Sequence, residues 1–117
     1  MGRLEHARTA YGHRLERALQ RLLQNLSGRE EVERVILFGS YARGRRDLGT
    51  DLDVVIIMRT NKDFLDRLRD LYATLNLGVD IDILCYTPEE WETVRTTSWG
   101  RHIEHTGVVL YEKESAG

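Results

Sequence analysis

The sequence predicts an α/β (α+β) domain, a small mixed β-sheet of about four strands with helices packed on it. Three observations carry that expectation. A stripe of leucines at three- and four-residue spacing fills the N-terminal quarter. Four short apolar runs rich in Val and Ile follow, one of them apolar on both faces. Helical patterns separate these runs in the order α-β-β-α-β-α-β, which stacks helices on a sheet.

The elements follow in chain order. Leu4, Ala7, Tyr11, Leu15, Ala18, Leu22 and Leu26 mark one helix face, Leu19 and Leu23 widen it, and Ser27-Gly28 closes the helix near residue 28. Val32–Phe38 reads as a strand ending in Gly39-Ser40, followed by a polar loop over Gly44–Thr50. Asp51–Met58 is a second strand, apolar on both faces after its first turn and therefore central. Asn61 is placed to cap a helix whose stripe is Phe64, Leu65, Leu68, Leu71, Leu75 and Leu77, ended by Gly78. Val79–Tyr86 is the third strand. Thr87-Pro88-Glu89-Glu90 has the form of an N-cap, a proline at N1 and acids in the first turn, opening a short helix with Trp91 and Val94. A polar stretch with Trp99, His102 and His105 leads to a last strand, Gly107–Tyr111.

Composition narrows the classes of function. At 117 residues, one domain over 1–117 is expected, large enough for a core without staples, and the single cysteine, Cys85, forms no internal disulfide. The longest aliphatic run, Val54–Met58, is far shorter than the roughly 20 residues of a membrane helix. The N-terminus has no apolar signal region, so a cytoplasmic, non-membrane protein is expected. The net charge of −2 hides an asymmetry of +4 over residues 1–50 and −6 over residues 51–117. Either the charges are scattered over solvated faces, or cations gather near phosphates and carboxylates near metal ions.

Two strands begin in the same unusual way. Asp51-Leu52-Asp53 and Asp80-Ile81-Asp82 each put two aspartates on one strand face at the head of an apolar run. Aspartate is a poor strand former, and carboxylates converging on one face repel each other and raise their own pKa values. A divalent cation removes both penalties, and hard oxygen donors suit Mg2+, or Mn2+ as the alternative, rather than zinc. A single such pair reads as turn capping in water; two on core strands read as a site. Phe38-Gly39-Ser40-Tyr41-Ala42-Arg43-Gly44 is the second element. Backbone amides and a hydroxyl after a strand can meet an anion, Gly39 allows close backbone approach, and Arg43 can neutralise phosphate or pair with a carboxylate. The spacing Gly39-x4-Gly44 is not a P-loop, because Arg45-Arg46 stand where Lys and Ser or Thr are needed.

Gly39-Ser40, ten residues, Asp51-Leu52-Asp53 and a later hydrophobic-Asp-hydrophobic strand together resemble the nucleotidyltransferase superfamily that includes DNA polymerase β. The fuller stretch Gly39–Gly44 with Thr50–Asp53 resembles its minimal nucleotidyltransferases (MNT), small prokaryotic proteins commonly paired with a HEPN-domain protein. The resemblance covers roughly residues 30–112, ending in Gly107–Glu112, and departs at Thr50, where serine is usual. It implies the polymerase β-like fold, a catalytic core over 29–112 and a flexible tail over 113–117. It also implies transfer of a nucleoside monophosphate, AMP from ATP, to a hydroxyl of a partner protein, with pyrophosphate released. Asp51 and Asp53 would hold two Mg2+ ions, while Gly39, Ser40 and Arg43 would hold the phosphates. The family's third carboxylate stands five before the Thr of the next helix cap. That position is Asp82, with Asp80 in reserve. The partner implied is a HEPN toxin, making this chain the antitoxin of the pair. The competing class is a non-catalytic module that neutralises a partner by complex formation. An acidic chain argues against nucleic acid. Larger nucleotidyltransferases hold the acceptor on a second domain, so here a second copy or a partner protein would supply that surface.

Other residues receive plainer readings. Cys85 reads as a buried small hydrophobe, Tyr41 as packed or at the surface, and Trp91 and Trp99 as core or partner-facing. His102 and His105 lack a third donor for zinc, and Arg45-Arg46 reads as a basic loop, either solvated or near phosphate.

Overall fold

The computed structural model describes residues 3–114. Its elements are α1 (Arg3–Ser27), β1 (Val32–Phe38), α2 (Gly39–Ala42), β2 (Leu52–Met58), α3 (Phe64–Thr74), β3 (Ile81–Tyr86), α4 (Pro88–Val94), α5 (Ser98–Thr106) and β4 (Val108–Glu112). The strands form one mixed sheet in the order β3-β2-β1-β4, with β1 antiparallel to both β2 and β4 and β2 parallel to β3. A small mixed sheet of four strands with helices packed on it is the architecture the sequence predicts, and the helices cover both of its faces.

Alternation along the strands splits the core in two. Val35 and Leu37 of β1, Val54, Ile56 and Met58 of β2, and Ile83 and Cys85 of β3 point to the face covered by Leu15, Ala18, Leu22 and Leu26 of α1 and Leu71 of α3. Each of these leucines, fully removed from water, contributes about 1.5–3 kcal/mol. Ile36, Val55 and Ile57 point the other way, onto Trp91 of α4 and Ile103 of α5. Cys85 is fully buried, and burial pushes its thiol pKa up to about 11, as a small hydrophobe requires.

The outer edge of β3 is partly closed: the Tyr72 phenol accepts from Ile83 N–H at 2.9 Å, and Arg67 donates to the Cys85 carbonyl at 3.3 Å. Arg67 is only 7% exposed and also donates to Glu90 at 2.6 Å and to the Lys62 carbonyl at 2.7 Å. The guanidinium holds the Glu90 carboxyl below its ordinary pKa. Glu90 in turn completes a capping box with Thr87, so one arginine ties α3 to the start of α4.

The structure corrects several sequence expectations. Asp63, not Asn61, caps α3, its carboxylate accepting from Asp66 N–H at 2.9 Å. That helix ends at Thr74, so Leu77 is buried from the following loop rather than from the helix, and Leu65 is 63% exposed. β2 starts at Leu52 and β3 at Ile81, which leaves Asp51 and Asp80 just ahead of their strands. The stretch read as polar contains α5, capped by Thr97, whose hydroxyl accepts from Gly100 N–H at 3.0 Å. β4 runs one residue further than expected, and Lys113 is held beyond it. Its backbone N–H donates to Glu33 O at 2.8 Å and its ammonium to Glu30 O at 2.7 Å. Residues 115–117 of the expected tail lie outside the described residues.

Gly100 sets the elbow between α4 and α5. A Cβ there would sit 2.6 Å from the Val94 carbonyl carbon and 2.7 Å from Arg95 Cα, both backbone and unable to yield locally. Gly100→Ala is expected to destabilise the fold by about 2 kcal/mol through this overpacking. Urea unfolding checks it: an unchanged midpoint would mean that the elbow opens without cost.

Candidate active site

The sheet register assembles the site. Phe38 of β1 pairs with Asp53 of β2, and Asp53 pairs with Asp82 of β3, so one transverse row carries both strand carboxylates. Neighbours in a row project to the same face about 5 Å apart. Asp53 is pushed up to about 6. Burial is the largest cause, followed by the neighbouring carboxyl of Asp82 and the charge of Asp51, with Arg43 opposing.

Gly39 closes the site from the side of β1. Its φ of +77° lies in the left-handed region, and a Cβ there would lie 3.1 Å from Asp53 Cγ and well inside contact with Oδ2. The backbone that turns out of β1 is thus packed directly against the carboxylate. α2 follows as a single turn: Arg43 N–H donates to Gly39 O and to Ser40 O, each at 3.2 Å, and Gly44 N–H to Tyr41 O at 3.0 Å. Ser40 is half-buried and Arg43 exposed at the end of this turn, with Arg43 near enough to Asp53 to lower its pKa.

The loop to β2 is built rigidly, which sequence reasoning missed. Tyr41 is buried, and the Arg46 guanidinium lies 3.5 Å from its ring centroid while donating to Tyr41 O at 2.8 Å. Arg45 pairs with Asp47 at 2.6 Å, so neither arginine of the basic loop stands unengaged. Asp47 also accepts from Gly49 N–H at 2.9 Å and from the Thr50 hydroxyl at 3.3 Å. Thr50 is fully buried, and its carbonyl accepts the Tyr11 phenol of α1 at 2.9 Å. The signal for this turn was present in Asp47-Leu48-Gly49-Thr50, an aspartate two residues ahead of the amide it binds. The hydroxyl of Thr50 serves the loop, as a serine there also could.

The predicted site residues therefore fall into two groups. Gly39, Asp53 and Asp82 are in direct contact or register, and Ser40 and Arg43 stand on the adjoining turn. Asp51 is half-buried and acts on Asp53 by charge, yet among the described residues no three His, Cys, Asp or Glu side chains converge tightly enough to cage a metal. Asp80 stands apart: its carbonyl accepts Leu52 N–H at 3.4 Å, and the residue lines a cavity of about 450 Å³ beside Tyr11, Arg14 and Tyr72. His102 and His105 are exposed on α5, Trp91 is core, and Trp99 is 38% exposed with its ring edge-on to Phe38 at 6.0 Å. A hard divalent cation fits the Asp53–Asp82 pair on the chemistry of the donors, because it would remove the repulsion that raises Asp53.

Comparison with known proteins agrees with this geometry. Residues 20–116 match the family "Polymerase beta, Nucleotidyltransferase". Two proteins of Methanocaldococcus jannaschii designated candidate protein adenylyltransferases are similar in sequence. MJ0141 is 31% identical over 80 residues, 68% of this chain and 80% of that one. MJ0604 is 31% identical over 100 residues, 82% of this chain and 97% of that one. Among solved structures, a candidate nucleotidyltransferase from Sulfolobus solfataricus superposes with a TM-score of 0.64 at 17% identity, covering 92% of this chain and 89% of that one. A toxin–antitoxin crystal structure with AMP-PNP superposes with a TM-score of 0.54 at 20% identity, covering 85% and 74%. A carboxylate pair on adjacent parallel strands, a glycine turn packed on it and a match spanning the whole sheet place the chain in the polymerase β-type nucleotidyltransferase family.

Proposed function

We infer that this nucleotidyltransferase moves AMP from ATP to a hydroxyl of a partner protein, and that it is the antitoxin of a toxin–antitoxin pair whose toxin is a HEPN-domain protein. The observation that carries the reading is the row Phe38–Asp53–Asp82 closed by Gly39. Folding alone does not call for two carboxylates in register across adjacent strands at the head of apolar runs. The names of the similar sequences support adenylyl transfer to protein, and the toxin–antitoxin structure supports the pairing.

In the reaction the acceptor oxygen bonds to the α-phosphorus, the bond to the β-phosphate oxygen breaks, and pyrophosphate leaves. The chain's own groups position and neutralise. Ser40 and the backbone of its turn meet the β- and γ-phosphates, and Arg43 adds positive charge at the end of that turn. Asp53 and Asp82, joined by Asp51, would hold two Mg2+ ions. Bound there, the metal would offset charge on the attacking and leaving oxygens. A carboxylate of the same group takes the acceptor's proton.

The test uses the chain co-expressed with its partner, then ATP labelled at the α- or the γ-phosphate. Transfer of the α-label alone, abolished by a chelator, is the expected result. Transfer of the γ-label would make the protein a kinase and end this reading. If Asp51→Asn protein neutralises the partner as fully as wild type, complex formation rather than chemistry is the mechanism of protection.

A further inference from the structure

One strongly cationic surface takes no part in the site described so far. Arg14, Arg17 and Arg21 recur at helical spacing along one side of α1, and all three line a cavity of about 220 Å³ beside the loop after α3. This cavity adjoins the 450 Å³ cavity next to Asp80, sharing Arg14 and Gly78 as walls. The two form one trough of roughly 15 Å between Tyr11 and Arg21, counting 1.5 Å per helical residue. Its head lies on the α1 side of the sheet, at the end from which β2 and β3 start, while Asp53 and Asp82 at that same end project to the opposite side. There the Tyr11 phenol, bonded to Thr50 O, feels the charges of both Asp51 and Asp80.

The charges of the trough are unbalanced. Arg14 donates to Gly78 O at 2.7 Å, which fixes it as a wall, but Arg17 and Arg21 make no ion pair among the described residues. Among the other exposed arginines Arg45 pairs with Asp47, Arg59 with Glu33, Arg69 with Asp66, and Arg95 with Glu92 and Glu104, while Arg43 and Arg101 have no carboxylate partner among the described residues. The opposing wall over residues 75–79 has no charged side chain, and Asp80 is the sole acid lining the trough, at its head. Three cations over about two helical turns face a groove that can take four or five extended residues.

We propose that this trough docks the acceptor as an acidic polypeptide segment, its carboxylates on Arg17 and Arg21 and its hydroxyl-bearing residue at the Asp80 end. The proposal rests on the nucleotidyl-transfer reading and specifies the chemistry of its acceptor. A protein segment is favoured over a nucleic-acid strand because the head of the trough is acidic. Asp51 and Asp80 would repel a phosphate backbone entering there, whereas a peptide can change from carboxylates to a neutral hydroxyl along its length.

The probe is a fluorescein-labelled random copolymer of glutamate and tyrosine, followed by anisotropy at graded salt. Wild-type protein is expected to bind it. Arg17→Ala/Arg21→Ala is expected to bind about tenfold more weakly with a flatter salt dependence, and Arg17→Lys/Arg21→Lys to recover most of the affinity. A lysine–tyrosine copolymer and a single-stranded RNA oligonucleotide of matched length should bind less tightly than the acidic copolymer. Failure of wild type to bind the copolymer, equal binding by the double alanine variant, or tighter binding of the RNA would each overturn the proposal. Mg2+-dependent ATP binding, measured in parallel, separates the two readings. Its absence in wild type removes nucleotidyl transfer, while its persistence beside lost copolymer binding removes only the trough.

Discussion

Asp53→Asn is expected to reduce nucleotidyl transfer by roughly a thousandfold and, at the same time, to make the metal-free protein more stable at pH 7.5. The first effect follows from position. Asp53 joins the Gly39 backbone on one side to Asp82 on the other, and an amide holds a hard cation far less well than a carboxylate. A loss of about 4 kcal/mol of transition-state stabilisation corresponds to that factor. The second effect follows from the raised pKa. Burial and the charge of Asp82 disfavour the ionised form, so folding raises the pKa of Asp53 from 3.8 to about 6. A group whose pKa rises on folding contributes stability that is full below pH 3.8 and is lost as pH climbs through about 6. Asp53 is partly exposed, and solvent screening brings the effect down to the order of 1 kcal/mol, a few degrees in Tm for a domain of this size. Thermal melts of metal-free wild type between pH 4 and 8 should show that loss, and the Asn variant should not. A variant that melts lower than wild type at pH 7.5 would show that the carboxylate pair is not under repulsion. A variant that still transfers AMP at the wild-type rate would remove Asp53 from the metal site.

Most of the fold was legible because its signals are periodic. The leucine stripe of α1, the apolar run of β2 and the Thr87-Pro88-Glu89-Glu90 start of α4 each reflect local physics that the structure retains. The misses fall where tertiary contacts decide. α5 is short and largely polar, with Trp99 and Ile103 as its large apolar residues, and it becomes a helix against the sheet only because Gly100 lets it close on α4. Leu77 continues the apolar spacing of α3 while standing outside that helix, since hydrophobic periodicity marks burial and not hydrogen bonding.

The carboxylates were visible because aspartates at the head of an apolar run are poor strand formers, although only Asp53 and Asp82 of the two pairs fall within their strands. Their partners across the sheet were not visible, because register belongs to pairing. The parallel pairing of β2 with β3 selects Asp82 for Asp53, and the start of β3 at Ile81 leaves Asp80 beside a different cavity. The supporting loop was hidden as well. Arg45 and Arg46 look like ligands for phosphate in one dimension, and in three they are spent on Asp47 and Tyr41.

Gly39→Ala tests whether the glycine turn and the carboxylate act as one unit. The alanine must hold a φ of +77°, which costs an L-residue about 1–2 kcal/mol, and its methyl group would press on the Asp53 carboxylate. The backbone cannot retreat without breaking the row with Phe38, so the carboxylate must rotate away and leave Asp82. Stability is expected to fall by about 2 kcal/mol, and transfer by at least about a hundredfold, because displacing a positioned group by even 1 Å carries that penalty. A double-mutant cycle separates strain from contact. In an Asp53→Ala background the carboxylate contacts vanish and only the Cβ of residue 53, 3.3 Å away, remains, so Gly39→Ala should then cost little beyond the backbone term. A coupling of about 1 kcal/mol in urea unfolding is the expected result. Additive costs would mean that the turn is merely strained and that the carboxylate does not lean on it.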